Sequence, residues 1–209
     1  KIFCKHTFAE KVFFSNSGAE AVEAAIKTAR KYAYVNISKK KNEIVAFSDA
    51  FHGRTMMAIA LNGSDRFIEG YGPMPGGIKH HQFNEVKGLE KTINKNTAAV
   101  VIELVQGEAG IIKAQKAFIQ KIKKLCKQHK ALIVIDEVQS GAGRTGTLFA
   151  YEQFGIKPDI MCCAKGIGGG IPIGAVLTSS KIADCMQLGS HGSTFGGNPL
   201  ACAVAEKVM

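Results

Sequence analysis

Lys165 and Asp136 are the residues whose type and setting best suit chemistry. Ala131–Ile135 (ALIVI) runs into Asp136-Glu137, and Ile160–Ala164 (IMCCA) runs into Lys165. Both runs are apolar, of strand length, and carry β-branched residues, in a chain that alternates strand-like with helical stretches. In open parallel sheets, ligands bind beyond the carboxyl ends of the strands, so Asp136 and Lys165 are expected to face one crevice. An amine and a carboxylate presented together suit pyridoxal 5'-phosphate. The lysine would form the Schiff base, and the aspartate would keep the pyridine nitrogen protonated so that the ring can draw electrons. Taken alone, the stretch leaves the simpler account open, in which both polar groups merely end buried strands.

Two other readings fail on their own requirements. As the acidic strand of a nucleotidase, LIVIDE would need a glycine-rich phosphate loop with a Gly-Lys pair, and the chain contains no such pair. Gly141, Gly143 and Gly146 match a dinucleotide fingerprint in spacing. Residues Glu137 to Ser140 separate them from the apolar run, however, and no acid closes a second strand at the expected offset.

Further elements would bring polar groups to the same crevice. Lys11–Ser15 (KVFFS) reads as a strand, followed by Asn16-Ser17-Gly18 and a helix from Gly18 to about Val35. A small-residue turn opening a helix offers free N–H groups and a positive dipole end to an anion, with Ser17 as cap; from this stretch alone an ordinary cap with no ligand is the simpler account. Glu43–Ser48 reads as a strand that delivers Phe51 and Arg54, an aromatic that could stack on a ring and a guanidinium that could grip a carboxylate. After a Gly/Pro-rich loop (Gly70–Gly77), Lys79–Phe83 and a helix near Glu85–Ile93 are expected. Ala98–Val105 then reads as a buried strand carrying Glu103, an acid that needs a partner. Lys116 to about His129 is an amphipathic helix. Gly174–Ser179 is a last strand, Lys181–Gln187 a short helix, and a glycine-rich loop (192–199) with Ser193 and Thr194 precedes a helix from about Leu200. The alternation predicts a three-layer α/β domain.

Composition narrows the classes. The chain has 209 residues, 46% hydrophobic and 21% charged, the balance of one soluble globular domain with a sizeable core. Its net charge of +10 comes from dispersed lysines, with one run at Lys39-Lys40-Lys41 and no basic stripe of the kind nucleic-acid binding shows. The six cysteines have no C-x-x-C spacing, which points to free thiols in a reducing, cytoplasmic setting. His80 and His81 are adjacent on an expected strand and so point to opposite faces, which argues against a metal pair. No apolar run reaches the roughly 20 residues of a membrane helix.

SNSGAEA, FHGRT, VQGEAG, IDEVQSGAGRTG, AKGIGGGIPIGA and HGSTFGGNP occur together in an order and spacing that resembles the class III, pyridoxal-phosphate-dependent aminotransferases. The resemblance covers essentially the whole chain. It implies a fold-type-I large domain, three-layer α/β/α with a mainly parallel seven-stranded sheet, assembled as a homodimer with shared active sites. It assigns Lys165 to the Schiff base and Asp136 to the pyridine nitrogen. Gln139 would meet the phenolic oxygen, Phe51 would stack on the ring, and Glu137 and Val138 would belong to the same cofactor-binding stretch. Ser17, Gly18 and Ala19 would bind the phosphate, and Thr194 would reach the neighbouring subunit's cofactor. Arg54 would hold the substrate carboxylate, with Ser193 near the substrate. Glu108 resembles the acid that switches between half-reactions by pairing with an arginine further along the chain.

The implied activity moves the terminal amino group of N-acetylornithine to 2-oxoglutarate. Ornithine, 4-aminobutyrate and succinyl-diaminopimelate are alternative donors, and a non-catalytic remnant is the alternative outside enzymes. Three positions depart from the family pattern: Leu104 stands where proline is usual, Ala109 where glycine is usual, and Ile171 where phenylalanine is frequent. The resemblance also implies further segments on both sides, so residues 1–209 are expected to be the cofactor-binding large domain of a longer protein.

Overall fold

The computed structural model describes residues 1–209. Its strands are β1 (Lys11–Ser15), β2 (Glu43–Phe47), β3 (Ile78–His81), β4 (Thr97–Ile102), β5 (Val105–Gln106), β6 (Ile112–Lys113), β7 (Leu132–Asp136), β8 (Ile160–Cys163) and β9 (Gly174–Thr178). The helices are α1 (Ile2–His6), α2 (Gly18–Asn36), α3 (Met56–Leu61), α4 (Asp65–Ile68), α5 (Leu89–Thr92), α6 (Lys116–His129), α7 (Ser180–Ala183) and α8 (Pro199–Val208).

Seven strands form one sheet in the order β1-β9-β8-β7-β4-β2-β3. β9 pairs antiparallel with both β1 and β8, and every other pairing is parallel. The carboxyl ends of β1, β8, β7, β4 and β2 therefore lie along one edge, together with the start of β9. β5 and β6 form a separate two-stranded hairpin.

Alternation along the strands divides the core in two. Leu132 and Val134 face the α2 side, whereas Ile133 and Ile135 face the α6 side. α2 meets the sheet through Ala21, Ala24, Ala25, Ala29 and Ala33, small residues that let its backbone lie close to the strands. On the other face, Phe118 of α6 packs edge-to-face against Phe47 and Phe83, with ring centroids 5.1 and 5.6 Å away. Below β8 and β9 the same layer is completed by α8, through Ala201 and Ala205. This is the expected three-layer arrangement with a mainly parallel sheet.

Several boundaries differ from expectation. The helix expected near Glu85–Ile93 is one turn, Leu89–Thr92, because Gly88 enters it in the left-handed region at φ 85°. β4 ends at Ile102, so Glu103 sits just beyond the strand and not on it; Val105 belongs to the separate hairpin. The helix expected over Lys181–Gln187 shrinks to Ser180–Ala183. Of the three-lysine run, Lys41 is buried, its Nζ donating to the carbonyls of His129 (2.7 Å) and Lys95 (3.3 Å). That lysine ties two chain reversals together and adds nothing to a basic surface.

Candidate active site

The carboxyl edge of the sheet encloses a cavity of about 600 Å³, the size of a small-molecule site. Its lining includes Ser17, Gly18 and Ala19 from the start of α2, Phe51 and Arg54 after β2, and Glu108 after β4. Asp136, Val138 and Gln139 come from the end of β7, and Lys165 from the end of β8. Five segments separated by up to about 150 residues in the chain converge because their strands belong to one sheet.

Asp136 is 4% exposed and its two oxygens are separately held. Oδ1 accepts the Val138 N–H at 3.0 Å, and Oδ2 meets His52 Nδ1 at 2.8 Å. Burial opposes a charge on His52, but the hydrogen bond and charge of Asp136, with the charge of Glu103 added, outweigh it and raise the imidazole's pKa. The Nε2 of His52 is buried and meets no partner in the chain. His52 escaped the sequence reading. The only available signal was its place in FHGRT, since nothing local shows that the β2 loop would fold over the end of β7.

Lys165 adopts φ 45°, a left-handed conformation costing a side-chain-bearing residue on the order of 1–3 kcal/mol. The strained turn stops β8 and turns the amine into the cavity, where Nζ donates to Gln139 Oε1 at 2.5 Å. At the start of α2, Ser17 Oγ accepts the Glu20 N–H at 3.2 Å, while the Glu20 carboxylate accepts the N–H and the side-chain amide of Asn16, both at 2.9 Å. The cap thus fixes the first turn and leaves its leading N–H groups without helical acceptors. A Cβ at Gly18 would lie 2.6 Å from Val138 Cγ1, so glycine lets the phosphate turn and the β7 loop close on each other. At the start of β9, a Cβ on Gly174 would come within 2.2 Å of the Ser17 carbonyl oxygen.

Arg54 lies over two rings, with Cζ 4.7 Å from the centroid of Phe67 and 5.5 Å from that of Phe51. No carboxylate of the chain pairs with it, so the guanidinium is held on an aromatic platform with its donors open. Glu103 is 5% exposed and accepts the Phe51 N–H at 2.9 Å. Burial pushes its carboxyl up to about 7, moderated by His52.

Three expected residues stand apart from the cavity. Glu137 is buried on the far side of the strand end, where its carboxylate accepts from the Ser140 hydroxyl and from the Ala150 and Tyr151 amides at 3.1 and 2.8 Å. Adjacent strand residues point to opposite faces, so Asp136 and Glu137 cannot both look into the cavity. Ser193 and Thr194 border a neighbouring depression with Phe13 and Glu23. Ser193 Oγ is linked to the cavity wall by the Asn16 side-chain amide at 3.1 Å, whereas Thr194 is exposed. His81, the tempting metal residue, bonds Thr92 Oγ1 and the Glu85 carbonyl and serves the β3 turn.

The donor set fits pyridoxal phosphate. Open N–H groups and a hydroxyl suit the phosphate, a phenyl ring suits the pyridine face, a buried carboxylate suits the ring nitrogen and an amine suits the aldehyde. Glycine at position 18 keeps the start of α2 packed directly against Val138, so the cradle's two walls meet with no side chain between them. Fold and site together define the class of the pyridoxal-phosphate-dependent transaminases. Within it, the chain belongs to the class-III aminotransferase family, which it matches over residues 1–209.

It is 52% identical over 209 residues to the succinylornithine transaminase of Yersinia pseudotuberculosis, covering 97% of this chain and 50% of that protein. Similarity to the acetylornithine aminotransferase of Vibrio cholerae is also 52%, over 203 residues, with the same coverage of 97% and 50%. Among solved structures, the ornithine aminotransferase of Toxoplasma gondii, with pyridoxal phosphate at partial occupancy in its active site, superposes with a TM-score of 0.94 at 34% identity. That match covers 99% of this chain and 50% of the other. The chain therefore spans about half the length of the relatives it matches.

Proposed function

We propose that residues 1–209 form the cofactor-binding large domain of an aminotransferase that moves the terminal amino group of an N-acylated ornithine to 2-oxoglutarate. N-acetylornithine is the donor read from the motifs. N-succinylornithine is the second reading, supported by equal identity to a succinylornithine transaminase. The single observation carrying the proposal is the convergence of Lys165, Asp136, Phe51 and the open start of α2 on one cavity.

In this reading the first-turn N–H groups at Gly18 and Ala19, with the Ser17 hydroxyl, hold the phosphate at the positive end of α2. Phe51 and Val138 orient the ring, and Gln139 meets its phenolic oxygen. Bound pyridoxal phosphate supplies an electron sink for the substrate carbon that bears the nitrogen. Asp136 holds a proton at the ring nitrogen, and its two hydrogen bonds keep the carboxylate from turning away. Lys165 would hold the cofactor's aldehyde with its amine, and the same amine would serve as the base that moves the proton at the substrate's nitrogen-bearing carbon. Arg54 binds a substrate carboxylate through two parallel hydrogen bonds, which a lysine could not reproduce. Glu108, at the exposed rim, is free to meet a cation outside residues 1–209.

Thr194, exposed and outside the cavity, fits a contact with a second subunit's cofactor in a homodimer. A cytoplasmic location agrees with the free cysteines, and no helix is long and apolar enough to cross a membrane. Adding pyridoxal phosphate should produce a visible absorption band that Lys165→Ala abolishes; the same band in the variant would overturn the assignment. A panel of acetylated, succinylated and free ornithine, with 4-aminobutyrate and succinyl-diaminopimelate, then identifies the donor. Cofactor binding with no half-reaction on any of them would instead favour a non-catalytic protein.

A further inference from the structure

The cavity contains one buried acid that the proposed chemistry does not use. Glu103 lies just beyond strand β4, which runs between β7, which delivers Asp136, and β2, which delivers Phe51, His52 and Arg54. Its carboxylate accepts the Phe51 N–H at 2.9 Å. One side chain thus ties the loop of residues 51–54 to the end of β4, from which the chain runs on to the loop of residues 107–111. The first carries the ring platform and the open guanidinium, and the second carries Glu108. Beside it, His52 Nδ1 meets Asp136 Oδ2 at 2.8 Å, so the two buried acids share one imidazole's charge. A carboxylate without such partners would be costly at this depth.

Building on the reading of this site as a transaminase cavity, we propose that Glu103 is a positioning residue. It ties the loop of residues 51–54 to the end of β4 and, by holding the residue before His52, keeps the imidazole on the Asp136 carboxylate. The charged or titratable groups that face it are His52 and Arg54 from the β2 loop, Asp136 from β7, Lys165 from β8 and Glu108 from its own loop. His80 responds to the charge on His52 from β3. Glutamine at position 103 keeps the volume but removes the charge, and its amide nitrogen cannot accept an N–H. Aspartate keeps the charge on a shorter arm.

The test compares wild type, Glu103→Gln and Glu103→Asp by amide hydrogen exchange without cofactor, and by absorbance across pH with pyridoxal phosphate bound. Glu103→Gln should exchange the Phe51 amide roughly tenfold faster, with α2 and α6 unchanged. With less negative charge near the site, the pH midpoint of the bound cofactor's visible band should fall by about one unit. Glu103→Asp should keep the midpoint and exchange faster at the 51–54 loop only. Uniform acceleration over the whole chain, or no change at the 51–54 loop, would reduce Glu103 to an ordinary core residue and overturn the clamp. An unmoved midpoint in Glu103→Gln would overturn its support of Asp136. If wild type forms no band that depends on Lys165, the transaminase reading itself falls, and the exchange arm still decides the clamp.

Discussion

Asp136 is held by two different kinds of partner, a backbone amide and a buried imidazole, and this decides what its replacement would do. Asp136→Asn keeps the shape and removes the charge. Single-turnover reaction with an amino donor should slow by roughly 10²–10³-fold, the loss seen when one charge-stabilising group is removed from a reacting centre. A change under threefold would show that the ring nitrogen lies elsewhere. Glu103 makes a second prediction, on stability. Its carboxyl lies at about 7 in the fold against 4.5 for an ordinary glutamate, so the folded chain holds a proton that the unfolded chain has already lost. The contribution is present below pH 4.5 and is lost as pH rises to about 7. His52, also raised, loses its contribution in the same direction above its ordinary value of 6.5. Urea midpoints should therefore show Glu103→Gln gaining on wild type as pH rises from about 4.5 to about 7, by at most about 3 kcal/mol. A gap that stays constant with pH would contradict the buried-acid assignment.

The elements matter mainly through how closely their ends approach. The first residue of β9 lies against the turn that opens α2, and Gly174→Ala would force its methyl onto the Ser17 carbonyl oxygen. Backbone cannot yield as a flexible side chain can, so a loss of about 1–3 kcal/mol in stability is expected. Weaker pyridoxal phosphate binding should accompany it, measured by titrating the visible band. Unchanged affinity would separate the turn from the phosphate. The strands and the two long helices were legible in the chain itself. α2 is announced by Ser17, the acid at Glu20 and an alanine row at helical spacing; α6 is announced by Phe118, Ile119, Ile122 and Leu125. The short helices were not. One turn such as Leu89–Thr92 has too few residues to show a period, and its entry depends on a left-handed Gly88 that the neighbours impose.

For the whole molecule, the sites of Ser193 and Thr194 are the informative ones. Both lie outside the cavity of their own chain, yet Ser193 reaches its wall through Asn16. A shared site predicts a mass in solution of two chains, and weaker cofactor binding in Thr194→Ala with no loss in melting temperature. A single-chain mass together with wild-type affinity in that variant would refute the sharing. Exposed Phe195 and Leu200 flank the same loop, as apolar residues at an interface would.

Local sequence determined the identity of each chemical group and the strand end on which it stands. Short apolar runs that stop at Asp136 and Lys165 can be read without coordinates, because strand length and periodicity are properties of neighbouring residues. Tertiary structure alone decided which of those groups meet. The pairing of β4 with β2 and β7 put Glu103 and His52 beside Asp136, and strand alternation turned Glu137 out of the cavity. The first outcome depends on sheet order, which is set by packing between residues far apart in the chain; the second is local, and only its consequence, which face looks into the cavity, waits on the tertiary structure.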